Sequence, residues 1–322
     1  MNIYQIAEKA GVSIATVSRV LNNSEHVSEK TREKIERIIK EDNYRPNILA
    51  RGLALDTIKI IGVICTDPSD AFIAKALGLL QAGLHKRKYD TLLFCVGSHR
   101  ETTLKHIRYL QNKHVDAIFL VGSGFSDTVD REALGEVARA IPIITVNGSV
   151  DIENVYSVCC DDKAGIGEAV DYLVKEGEEK IIFLYDNMTQ STKRKIEGFA
   201  LALERNGIRF SDELIINATD TLKGSEEALD GLLENGIKFD SVIATSDLIA
   251  LGAQKALEKK GIKKKVIGFD NTFLCECATP ELSSVDPSLE TMCEKALSIL
   301  DTISEGKKPE GAYVCKPKLV IR

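Results

Sequence analysis

At 322 residues, with 44% hydrophobic content and a formal net charge of -6, the chain is long enough for about two or three packed domains and too apolar to be disordered. Its negative balance excludes general polyanion binding, so any nucleic-acid contact has to come from a local basic surface. With 6% aromatics and no Trp, its cores are built from Ile, Leu, Val and Ala, a composition suited to alternating strand and helix.

Ile3, Ile6, Ala7 and Ala10 recur at helical spacing, and Gly11 breaks the run. Ser13 is placed to cap a second helix from Ile14 to Asn22, and Ser28 to cap a third. In that third segment Ile35, Ile38 and Ile39 form one stripe, while Lys30, Arg32, Lys34, Arg37 and Lys40 share the remaining surface with acids. In the second helix Val17, Val20 and Leu21 face one way and pack on the first helix. Ile14, Ala15, Ser18, Arg19 and Asn22 are left on the opposite side, where hydroxyl, amide and guanidinium groups can meet phosphates and base edges.

Pro46 ends this helical unit and opens a short helix from Asn47 to Ala54. From Ile58 onward the pattern changes. KIIGVICT, YDTLLFCV, DAIFLVGS, IPIITVN, KIIFLYD, SVIATS and KKVIGFD are short apolar runs, most followed by a helical pattern. Such alternation predicts parallel sheets with helices on both faces. Four runs precede Tyr156 and three follow it, which predicts two doubly wound subdomains with a ligand cleft at the carboxyl ends of their strands.

The expected division is therefore an all-α helix-turn-helix unit over 1–46 and a hinge helix with linker over 47–57. An α/β core of two doubly wound parallel-sheet subdomains follows, one expected over 58–157 plus about 287–306 and the other over 158–286 plus about 307–322.

The stretch AGVSIATVSRVLNNSEHVSEKTREKI, followed by NYRPN, resembles the signature of the LacI/GalR family of bacterial repressors. IGVI, VDAIFLV, KIEGFALAL, SDLIALGA and VIGFDN follow in that family's order, so the resemblance covers nearly the whole chain. It implies a transcriptional regulator, most simply a repressor, that binds a palindromic DNA operator as a homodimer under control of a small effector, a sugar or related polar metabolite. It also implies that Ile14, Ala15 and Arg19 contact bases, that Thr16 and Ser18 touch the backbone, and that Asn22 closes the same helix. The apolar Ile14–Ala15 pair favours thymine methyl groups. Leu53 stands where the family inserts a leucine wedge into the minor groove from its hinge helix. Gly52 weakens that helix by about 1 kcal/mol relative to alanine, so the hinge is expected to become helical only on the operator.

For the effector, the same resemblance points to Phe72, Asn147, Lys195, Ser246, Asp270 and Asp286. Lys195 replaces the family's usual arginine and loses its bidentate fork; Arg194 beside it is expected to point elsewhere. Asp70, Asp270 and Asp286 make the cleft acidic, which favours a polyol or amine-bearing ligand over a phosphorylated one. Capping the following helix is the plain structural role for each strand-end Asp, Asn or Ser.

An enzyme would need the same cleft, but the sequence has no Gly-x-Ser-x-Gly, no P-loop and no metal-spaced histidines. Neither paired C-x-x-C spacing nor neighbouring histidine accompanies its 8 cysteines, so no metal, cofactor or cysteine chemistry is expected. No run is long enough for a membrane span, and no signal-peptide stretch opens the chain. The expected location is cytoplasmic, on the nucleoid when bound to DNA. The lack of a heptad tail favours a dimer over a tail-assembled tetramer. A cytoplasmic small-molecule-binding protein without operator-specific regulation is the alternative.

Overall fold

The structure, a computed structural model, describes residues 3–21, 24, 26–42, 57–97, 100–219 and 221–322. Asn22, Pro46, Asp220 and the expected hinge helix with Leu53 lie outside the described residues. Two compact units are present, Met1–Lys59 and Ile60–Arg322.

In the first unit α1 spans Ile3–Ala10, α2 Ile14–Leu21 and α3 Glu29–Glu41. Gly11 takes φ +66° between α1 and α2, a left-handed turn that a side chain would strain. Ser13 Oγ then accepts a hydrogen bond from Thr16 N at 3.2 Å, capping α2 as its sequence predicts. Ser28 does occupy the N-cap position of α3, but its side chain caps no backbone N–H; its hydroxyl pairs with Thr31 Oγ1 at 2.8 Å. Ile6, Ala7, Ala10, Val17, Val20, Ile35 and Ile38 form the shared core. Burying each large aliphatic among them contributes about 1.5–3 kcal/mol. The Lys9–Asp42 pair at 2.6 Å is partly exposed and adds under about 1 kcal/mol.

The second unit runs β1 Ile60–Cys65, α4 Ala71–Lys86, β2 Asp90–Cys95, α5 Arg100–Asn112, β3 Ala117–Val121, α6 Phe125–Thr128, α7 Arg131–Ala138, β4 Ile143–Val146 and β5 Val155–Cys160. It continues with α8 Asp162–Lys175, β6 Ile181–Tyr185, α9 Gln190–Arg205, β7 Ile215–Asn217, α10 Leu222–Glu234, β8 Ser241–Ala244, α11 Asp247–Lys259, β9 Lys265–Phe269 and α12 Leu274–Cys277. Last come β10 Ser283–Asp286, α13 Leu289–Ser304, β11 Ala312–Cys315 and β12 Lys318–Val320. Two sheets result, ordered β11-β5-β4-β3-β1-β2 and β12-β10-β9-β8-β6-β7. Every pairing is parallel except β10 with β12. This is the doubly wound arrangement expected from the strand-helix alternation.

The expected boundary between residues 157 and 158 falls inside β5, which lies wholly in the first sheet. Residues 312–315, expected with the second subdomain, form β11 and also join the first sheet, in register with β5. The reason is that the chain crosses between sheets after β5, before α13 and again between β11 and β12. VYSVCC carries a polar Ser at its centre and so lacks the continuous apolar run that marked the other strands.

Both sheets are sealed by side chains that are fully buried, Ile61, Phe119, Ile144 and Val158 in the first and Phe183, Ile243 and Val285 in the second. At the end of α4, Arg87 grips Asp301 of α13 through Nε at 2.7 Å and Nη2 at 2.6 Å, tying two distant segments of the first subdomain. Gly268 in β9 leaves room for Asp247, because a Cβ there would collide with the Asp247 carboxylate. That carboxylate accepts from Thr272 N at 2.6 Å, Thr272 Oγ1 at 2.8 Å and Ser284 Oγ at 2.5 Å, so a buried acid becomes a clamp joining α11, β10 and the loop after β9.

Candidate functional site

Two surfaces carry the residues singled out by sequence, one in each unit. On α2 the buried side is Val17 and Val20, with Leu21 packed beside them. Ile14, Ala15 and Arg19 are exposed, and Thr16 and Ser18 are half-buried at the border. Ile14 stands 40% exposed, a solvent-facing aliphatic with no core to join. The Thr16 hydroxyl lies 2.9 Å from Ser13 Oγ, held at the amino end of the helix. Thus one face of a two-turn helix builds the core while the other offers a methyl-rich start and a later guanidinium. Short side chains at Ala15 and Ser18 let such a helix come close to a groove floor.

In the core unit, the carboxyl ends of the two sheets hold the second set. Lys195 projects from α9 and is 7% exposed. Its Nζ donates to the Thr245 carbonyl at 2.9 Å and sits 3.5 Å from the centre of the Phe269 ring, so a carbonyl and an aromatic face hold the buried charge. Asp270 follows directly, at φ +102°, a strained backbone setting for a residue with a side chain. Burial pushes its carboxyl well above the usual carboxylate range; Lys195 opposes the shift, while Asp247, Asp70 and Asp162 reinforce it. Asp70 is also raised, first by burial, with Asp67 and Asp186 adding repulsion.

The two subdomains meet at the start of α9. Asp127 of α6 reaches across to it. It accepts from Gln190 N at the start of α9 at 2.6 Å and lies 3.7 Å from Lys193 Nζ, so a carboxylate of the first subdomain rests on a helix N-terminus of the second.

The other expected contacts fall differently. Phe72 is 4% exposed and belongs to the apolar core, not to an open ligand face: it lies in the first turn of α4, where the Asp70 cap turns the helix onto the sheet. Ser246 caps α11, accepting from Ile249 N at 3.4 Å. Asp286 accepts from Ser288 N at 2.7 Å and from Asn271 Nδ2 at 3.0 Å. Asn147 ends β4 at φ +60°, half-buried on the first-subdomain side. Arg194 does point away from Lys195; it binds Asp162 through Nε at 3.0 Å and Nη2 at 2.8 Å.

Asp162 escaped sequence reasoning. It is 1% exposed, and its Oδ1 is buried without a hydrogen-bond partner. Its position after a strand would have marked it, had β5 been legible. Asp127 gave no signal at all, because α6 is a single short turn. A cavity of about 1160 Å³ opens at the amino ends of β8, β9 and β10, away from Asp270, and is lined among others by Gln254, Leu257, Ile262 and Arg322. Two of its charged groups are engaged within the protein: Asp240 accepts from Glu179 N and Lys180 N, and Arg322 donates to the Leu282 carbonyl and to Asn271. Among the described residues no group of three His, Cys, Asp or Glu converges to hold a metal ion, and no helix is long and apolar enough to cross a membrane.

Comparison with known proteins places these surfaces in context. Residues 2–47 match the family described as bacterial regulatory proteins, lacI family. Residues 59–305 match periplasmic binding proteins and sugar binding domain of LacI family. An HTH-type transcriptional regulator from Lachnoclostridium phytofermentans is 36% identical over 328 residues, covering 100% of this chain and 98% of the relative. The lac repressor dimer bound to operator and the anti-inducer ONPF shares the fold with a TM-score of 0.85 at 24% identity, covering 100% of this chain and 98% of that one. The transcriptional regulator CelR in complex with cellobiose has a TM-score of 0.72 at 24% identity over 100% of this chain and 99% of that one.

Proposed function

The chain belongs to the lacI family of bacterial regulatory proteins, and from that premise we infer that it is a transcriptional regulator whose α2 reads a palindromic operator while the core cleft takes a small polar effector. The observation that carries the reading is the two-sided α2: Val17 and Val20 are buried, and Ile14, Ala15 and Arg19 are exposed on the other face. A helix that served packing alone would have no reason to keep an isoleucine and an arginine together in solvent.

In this reading Ile14 and Ala15 meet thymine methyls, Arg19 meets a base edge or phosphate, and Thr16 and Ser18 meet the backbone, with Asn22 and Leu53 completing the contacts. The helical unit over 1–46 is the DNA-binding part and 47–57 the link to the core. A second copy supplies the second half-site, so the working form is a homodimer. The protein acts in the cytoplasm, on the nucleoid when DNA is bound. No reaction is proposed for the cleft, and no cofactor is needed.

Asp270, Lys195 and Asn147 are the leading effector contacts, with Ser246 and Asp286 at the margin and Asp162 below. Lys195, the one buried lysine among the described residues, has its Nζ already engaged, and Asp70, Asp162 and Asp247 add like charge at Asp270, which suits an uncharged hydroxyl-rich molecule or one bearing an ammonium group better than a phosphate ester. Ligand closure changes the relation of the two subdomains, and through the links of a dimer it sets operator affinity.

The test is selection of random duplex DNA on the full chain, followed by binding to the recovered sequence at several salt concentrations. A palindrome, with affinity that falls steeply with salt and is lost when one half-site is scrambled, is the expected outcome. Enrichment of no palindrome, or binding indifferent to the half-site, contradicts it.

A further inference from the structure

Among the 8 cysteines, the structure singles out one pair. Cys65 and Cys95 end the neighbouring strands β1 and β2 and are direct partners in the parallel ladder. Their sulfurs lie 3.6 Å apart. Paired strands run about 4.8 Å apart, inside the Cα separation of about 4.4–6.8 Å that a disulfide spans. Side-chain rotation of both residues therefore has to close only the gap from contact to a bond of about 2.05 Å.

The two thiols are unequal. Cys95 is exposed and Cys65 is buried. Burial, together with the hydrogen bond to Cys95, pushes the Cys65 thiol up to about 12, so the outer sulfur is the one an oxidant in solution meets as a nucleophile. A second facing pair provides an internal comparison: Cys160 and Cys315 are ladder partners in β5 and β11, but both are buried. Among the described residues only Cys65 and Cys95 combine touching sulfurs with an exposed member.

We propose that Cys65 and Cys95 form a peroxide-oxidisable dithiol at the carboxyl edge of the first sheet, closing to an intramolecular disulfide. Two steps balance. Cys95 Sγ attacks a hydroperoxide; the O–O bond breaks, an S–O bond forms, and the products are the Cys95 sulfenic acid and an alcohol, or water from hydrogen peroxide. Cys65 Sγ then attacks Cys95 Sγ; the S–S bond forms, the S–O bond breaks, and the departing hydroxide takes the Cys65 proton as water. The peroxide gains two electrons and the two thiols lose them.

The bond sits where Thr66 to Asp70 leave the sheet. Val96 N donates to the Cys65 carbonyl at 3.0 Å and Gly97 N to that of Thr66 at 2.9 Å, so the backbone already holds the two strand ends side by side.

The test treats the reduced full-length chain with a few equivalents of hydrogen peroxide, counts free thiols, and maps linked peptides under non-reducing conditions. The expected result is loss of two thiols, a Cys65–Cys95 linked peptide two mass units lighter than its separate parts, and recovery of both thiols with dithiothreitol. C65A should trap Cys95 as a sulfenic acid that dimedone labels, and C95S should lose no thiol at the same dose. Cys95 is exposed, so C95S keeps the fold even if C65A does not. A Cys95–Cys95 bond between two copies, oxidation of Cys95 to sulfinic acid with Cys65 still free, or equal reaction of Cys160 and Cys315 overturns the proposal.

Discussion

The exposed face of α2 and the cleft around Asp270 use polar side chains in opposite ways. On α2, Arg19 and Ser18 are presented on a helix whose other face is fixed by Val17 and Val20, and the Arg19 side chain makes no hydrogen bond or ion pair among the described residues. In the cleft, Lys195 is buried against Phe269 and Thr245, and Asp162 is held by Arg194, so charge is locked in place before any ligand arrives. On the proposed function, the face for a polyanion leaves its arginine unengaged among the described residues, whereas the site for a small molecule is rigid and partly desolvated before binding.

Breaking the cleft should give the largest effect on response. Losing one partner of a buried charged contact costs about 2–5 kcal/mol, so D270N should weaken binding of the effector on the order of 10²-fold or more, read by thermal shift against a panel of neutral sugars. Operator affinity without sugar should stay within about threefold, since the same substitution leaves α2 untouched.

Next in size is R19A. A base-edge or bidentate arginine contact contributes about 1–3 kcal/mol, which predicts an operator affinity about tenfold to a hundredfold lower by anisotropy. The melting temperature should hardly change, because an exposed side chain with no partner among the described residues is worth less than about 0.5 kcal/mol to folding. A large drop in melting temperature with R19A would erase the contrast between the two regions.

The bridge between subdomains offers a smaller effect. D127A removes a carboxylate from the N-terminus of α9; such contacts are worth about 0.3–1 kcal/mol. Effector binding should weaken about two- to fivefold by calorimetry, and small-angle scattering should show a more open core. Unchanged affinity and shape would reduce Asp127 to a surface cap.

The pH response sharpens the picture of a desolvated site. Because burial raises the folded pKa of Asp270 above its unfolded value, the stability tied to its protonated form is complete below the unfolded pKa and is lost as pH rises through the folded one. D270N escapes that loss. Its melting temperature should exceed that of the unsubstituted chain at about pH 8, and the advantage should vanish towards about pH 4, near an ordinary carboxylate value. A variant less stable at every pH would mean that Asp270 holds the fold through its attraction to Lys195.

The two regions also differ in how far they could be read from sequence. Helical periodicity separated Val17 and Val20 from Ile14 and Arg19 because a single helix carries both faces within a few residues. Seven strands were legible as apolar runs, but VYSVCC, IIN, SSVD, AYVC and KLV were not, being short or interrupted by polar residues at sheet edges and crossings. The cleft inherits that loss. Lys195 and Asp270 came from the resemblance to the LacI/GalR family, while Asp162 follows an illegible strand and Phe72 lies in the core, since sequence spacing does not say which way the first turn of α4 faces. Asp127 depends on two subdomains meeting, which no local pattern encodes.

On the proposed function, reading DNA and sensing a ligand reside in separate side-chain sets. Anisotropy of a selected palindromic duplex with the full chain, D270N and R19A, with and without the sugar that shifts the unsubstituted chain, tests it most directly. D270N should bind the duplex normally and ignore the sugar, while R19A should lose the duplex yet keep the sugar-induced thermal shift. Loss of both properties in either well-folded variant would contradict it.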